Sequence, residues 1–149
     1  MYLIKQVLKR FTVTTILLIL STISVADECQ LPKELFGKVM ILHIYGIASP
    51  TNPLANQVVE IYFDEQSYLL NNLQTGEKFI GKYTYRRFEP DLAELKVEEQ
   101  KVTNNMNETG YYTNTFVCQT DVTGYYIFSG IESGIQPSIR QNTGRYFFQ

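Results

Sequence analysis

A general base near neutral pH would fall to His43, the one histidine in the chain, because imidazole titrates there without help from its surroundings. It stands between Leu42 and Ile44 in an apolar run, a setting that suits a packed or rim histidine better than a proton-transfer group. Glu60, Asp64, Glu65, Asp91 and Asp121 are the acids that could pair for glycosidase-like work. Glu60 alternates away from Val59 and Ile61, and the other four fall in turns, so solvated surface explains them. The sequence holds no Gly-x-Ser-x-Gly turn, no His-Glu-x-x-His pair and no phosphate loop. No catalytic residue is assigned, and a Cys/His metal site would lack ligands. No cofactor is implied.

Binding chemistry is better represented. Arg87 continues the inner face formed by Phe79, Gly81, Tyr83 and Tyr85, so period-two geometry aims it into the domain or at its mouth. A guanidinium there needs a partner. The alternatives are a salt bridge or rim position, and an anchor for an anionic ligand group or a partner's carboxylate. Tyr83, Tyr85, Tyr112 and Tyr126 also fall on inner faces, where they fill a core or line a cavity for a polar, aromatic ligand. With Arg87 they make the candidate ligand-binding set. Cys29 and Cys118 are the only cysteines, and their pairing would close a long loop and stabilise by about 2–4 kcal/mol. Asn107, Glu108 and Thr109 match a glycosylation sequon, which has meaning only in a eukaryotic secretory route.

The elements that must position these groups follow an export signal. Lys5, Lys9 and Arg10 precede an apolar run over 11–20, and small residues ending in Ser24, Val25 and Ala26 come before the first acids. This is the pattern of a signal peptide over 1–26, cut after Ala26, with one domain over 27–149. The expected location is extracytoplasmic, periplasmic or secreted, an oxidising setting that suits a disulfide. After the cut no apolar stretch is long enough to cross a membrane. Ten Lys and Arg then face 15 Asp and Glu, a net charge near −5. With no basic patch, nucleic acid is a poor partner, and so is a polyanionic membrane surface.

The remainder reads as short strands divided by Gly, Pro, Asn and Asp. They are expected over 38–45, 57–63, 67–73, 78–88, 92–99, 109–118, 124–129 and 144–149. A short helical turn near 31–36 and weak pairing near 135–139 are further expectations. The clearest hairpin joins the fourth and fifth, with Ala93, Leu95 and Val97 in and Glu94, Lys96 and Glu98 out. The stretches 46–56 and 100–108 read as loops. Eleven Tyr and nine Phe favour strands. The fold class is all-β, an antiparallel up-and-down barrel of about eight strands, with a β-sandwich as the alternative.

Several elements add a family likeness. Gly81, Tyr83 and Tyr85 are followed by Pro90, Ala93 and Leu95, then Thr115 and Phe116, then Thr123, Gly124 and Tyr126, and finally Gly144 and Phe147. In this order the chain resembles small bacterial secreted β-barrels of calycin (lipocalin-like) type over a little under half its length. The resemblance implies a barrel and no particular activity. The Gly-x-Trp signature of true lipocalins is missing from the first strand. Together these features lead to an expected role as an exported, non-catalytic binding module. Its partner would be a protein, in an inhibitor or immunity-type role, met through the two loops. The alternatives are a small-ligand carrier using the barrel interior and a cyclase or isomerase built on a barrel pocket.

Overall fold

Eight runs of alternating side chains pair in chain order and close on themselves: β1 (Val39–Ile44), β2 (Val58–Phe63), β3 (Ser67–Asn72), β4 (Lys78–Glu89), β5 (Leu92–Lys101), β6 (Thr109–Thr120), β7 (Thr123–Ile131) and β8 (Ile139–Phe148). Every neighbouring pair is antiparallel, and β8 returns to β1 with Met40 opposite Phe148 and Ile44 opposite Gly144. Closure leaves no sheet edge. The computed structural model describes residues 29–49, 52, 54–101, 109–131 and 139–149. The expected signal peptide, the Asn107 sequon, and parts of the two expected loops lie outside these residues.

The alternation settles which face is core. Met40, Leu42 and Ile44 on β1, Val59, Ile61 and Phe63 on β2, and Ala93, Leu95 and Val97 on β5 all point inward and are at most 9 % exposed. An eight-stranded barrel has room inside for side chains to fill. Phe116, Tyr126, Tyr146 and Phe148 supply the bulk, with Phe116 and Tyr146 edge-to-face at 5.3 Å. The outer faces of β4 and β5 carry Lys78, Lys82, Arg86, Glu94, Lys96 and Glu98 beside the exposed Ile80 and Phe88.

Glycine lets the tyrosines fit. Tyr126 opposes Gly144 and Tyr146 opposes Gly124 on the β7–β8 ladder. A Cβ at Gly144 would stand 2.6 Å from the Tyr126 ring, and one at Gly124 would stand 2.7 Å from the Tyr146 hydroxyl. Each ring therefore lies across the glycine of the facing strand. The Gly-x-Tyr spacing on both strands is the sequence form of this reciprocal packing.

One end of the barrel is closed by residues 29–37. Leu31 and Leu35 are buried in the core, and Cys29 bonds Cys118 at the end of β6 with a Cα separation of 6.0 Å. Leu31 N donates to Pro90 O at 2.8 Å, and Gln30 N donates to Asp121 Oδ1 at 2.8 Å. This segment is a bend and turn, not the expected helical turn, because its contacts run to other strands and leave no local ladder to build. Bulges at Arg87–Glu89 and Cys118–Thr120 lie at the same end, where extra residues sharpen the twist.

Several strand boundaries differ from expectation. Strand β5 continues through Gln100 and Lys101, into a stretch expected to be loop, because β4 and β6 offer partners as far as Phe79 and Thr109. Strand β8 starts at Ile139, five residues before the expected Gly144, because β7 runs to Ile131 and pairs with the polar stretch of Arg140 to Thr143.

Candidate functional site

The five expected ligand-binding residues separate along the barrel. Tyr83, Tyr85 and Arg87 do face inward from β4, and they lie toward the closed end. The Tyr85 hydroxyl donates to Pro32 O at 2.9 Å, and Arg87 Nη1 donates to Leu31 O at 2.8 Å. Both side chains tie the N-terminal segment to β4. The Tyr83 hydroxyl donates to Asp64 O in the β2–β3 turn at 2.7 Å. Burial pushes the Tyr85 hydroxyl up to about 12, against a smaller downward pull from the Arg87 charge. Tyr126 is packed at mid-barrel, 6.2 Å from Phe116 between ring centroids, and burial raises its pKa. Tyr112 lies toward the opposite end.

There Tyr112 meets two residues that the sequence did not single out. Glu99 stands two residues beyond Val97 on the inward face of β5. Its Oε2 accepts a hydrogen bond from the Tyr112 hydroxyl at 3.0 Å and another from the Tyr68 hydroxyl. The two phenolic oxygens are 2.9 Å apart. Burial raises the pKa of Glu99, and the two phenolic hydrogen bonds oppose the rise. Tyr68 reaches Glu99 from β3 by crossing β4 at Gly81, its cross-strand partner. A Cβ at Gly81 would sit 2.6 Å from the Tyr68 ring, so no larger residue lets the ring pass. Asn72 and Asn114, at 0 % and 2 % exposed, add further buried polarity inside the wall.

His43 faces outward from β1, exposed, with its ring edge-on to Tyr45 at 5.2 Å. It is on the opposite side of the wall from Arg87. Asp64, Glu65, Asp91 and Asp121 are exposed. Among the described residues no group of three or more His, Cys, Asp and Glu could hold a metal ion.

A second feature lies outside the barrel. Tyr62, Leu69, Ile80 and Gln100 are consecutive cross-strand partners on β2, β3, β4 and β5. Tyr62, Leu69 and Ile80 are 43 %, 37 % and 44 % exposed. They line a groove of about 690 Å³ whose border includes Asp64, Lys82 and Glu98. Their alignment depends on a register that single strands do not reveal.

The chain matches no protein-family model, and no curated protein or solved structure is significantly similar to it.

Proposed function

We propose that this protein is an exported, non-catalytic binding module of calycin-like barrel type, and that it takes a protein partner in the groove across β2–β5. The observation that carries this reading is where the space lies. Among the described residues, Leu31, Leu35, Phe116, Tyr126 and Tyr146 pack inside the barrel, and an apolar row and a groove of about 690 Å³ stand on the outer wall. An exposed apolar strip with a polar border is the ordinary form of a protein contact. The net charge near −5 after signal removal favours a basic partner, drawn in by charge before the apolar row is covered. An inhibitor or immunity-type role fits such a surface. The disulfide fits an extracytoplasmic location, since such bonds persist in oxidising compartments.

The test compares two outward substitutions on opposite sides of the barrel. Ile80→Asp charges the groove, and Ile127→Asp charges β7, where Ile127 is 51 % exposed. Both leave the core untouched. In pull-downs from the native source, the unaltered protein and Ile127→Asp are expected to retain the same polypeptide, and Ile80→Asp to lose at least about tenfold in affinity. Equal retention by all three proteins removes the groove from the account.

A further inference from the structure

The groove on the outer wall is made of two parallel strips. Its floor is the cross-strand row of Tyr62, Leu69 and Ile80, all exposed. Two residues along the strands, toward the closed end, runs a second row of Ser67, Lys82 and Glu98. Asp64, just past the end of β2, extends that row through its N–H bond to Ser67 O at 2.8 Å. All seven residues line the groove, and the polar ones are exposed as well. An apolar strip and a polar strip therefore lie side by side, about 7 Å apart, and both run across the strands.

These dimensions select an occupant. Neighbouring strands are about 4.8 Å apart, so the floor from Tyr62 to Ile80 measures about 10 Å, the length of three residues of extended chain. A cleft of about 690 Å³ falls within the roughly 300–1,000 Å³ of clefts that enclose small ligands. A folded domain covers a wall through a broad surface, whereas a short extended segment enters a cleft. Alternate side chains of such a segment share one face, about 7 Å apart. Two apolar side chains at i and i+2 thus seat between the three floor residues. The closed barrel offers no edge strand for the segment to extend. Its backbone amides must find side-chain partners, and Ser67, Lys82 and Glu98 supply donors and acceptors along the adjoining strip. Asp64 and Glu98 against Lys82 leave an excess of acid in the lining. A Lys or Arg next to the apolar pair matches that excess.

We propose that the groove takes a short, extended segment of a partner chain, with apolar side chains at alternate positions and an adjoining Lys or Arg. This rests on the groove being the binding surface, and it narrows the partner to one that presents a linear segment instead of a folded face.

The experiment selects phage-displayed random heptapeptides on the purified, disulfide-bonded protein and counter-selects on Ile80→Asp. The enriched peptides are expected to carry an apolar pair at i and i+2 with Lys or Arg beside it. One such peptide, synthesised alone, is expected to bind Ile80→Asp about tenfold or more weakly than the unaltered protein. It is expected to bind the double variant Asp64→Asn, Glu98→Gln about two- to fivefold more weakly. No enrichment over the counter-selection, enriched peptides that lack the apolar pair or the basic residue, or unchanged affinity for either variant overturns the proposal. Should Ile80→Asp fail to fold, Leu69→Asp takes its place under the same criteria. The two readings fail separately. If Ile80→Asp loses the native partner in pull-downs and no peptide is enriched, the groove keeps its partner and the linear segment is excluded. If the pull-downs are unaffected and no peptide is enriched, both fall.

Discussion

Tyr85 shows how one side chain can serve the closure of a barrel. Its ring joins the inner face of β4, and its hydroxyl donates to Pro32 O. Burial raises its pKa from 10.0 to about 12, so folding favours the protonated phenol. Its contribution to stability is complete below pH 10.0 and is lost as the pH rises through about 12. Tyr85→Phe is therefore expected to lower stability by about 1 kcal/mol at pH 8. In urea unfolding the gap to the unaltered protein should shrink as the pH climbs past the ordinary tyrosine range. A gap that stays constant would mean that this hydroxyl does not titrate as its surroundings dictate. The direction of Arg87 and of the β4 tyrosines was legible from period two alone. What they touch was not, because their partners are backbone carbonyls, 19 residues away for Tyr83 and more than 50 for Tyr85 and Arg87. Glu99 was within reach of the same rule, since Ala93, Leu95 and Val97 lead straight to it. It was passed over because a charged residue at a strand's end reads as solvent-facing, and Tyr68 because its strand is weakly patterned.

Elements depend on one another through their glycines and registers. Gly81 lets the Tyr68 ring cross β4, and a Cβ there would also stand 2.6 Å from Glu98 O. Backbone on one side and an aromatic ring on the other leave no easy route for relaxation. Gly81→Ala is expected to destabilise the protein by about 1–3 kcal/mol in urea unfolding. A variant as stable as the parent would show that Tyr68 does not hold this crossing. The β4–β5 hairpin was readable in the sequence because both strands alternate cleanly around the Pro90–Asp91 turn. Strand β8 was read too short, because Arg140 and Asn142 put polar groups on an inward face where the pattern calls for apolar ones. The partner strand supplied what local patterning withheld.

The whole molecule has one end shut and its outer wall partly apolar. The disulfide joins residues 89 positions apart and fastens the N-terminal segment that shuts the end, a cross-link worth about 2–4 kcal/mol against the unfolded chain. Phe116 and the tyrosines pack inside the barrel, and on the wall Tyr62, Leu69 and Ile80 align only after their strands have found their registers. That alignment is why the sequence conveyed a barrel but gave no sign of this surface. The most direct test is native mass spectrometry of the protein isolated gently from its own source. The account predicts a complex with a second polypeptide in simple stoichiometry. A bare monomer, or a monomer that retains a small molecule alone, would contradict it.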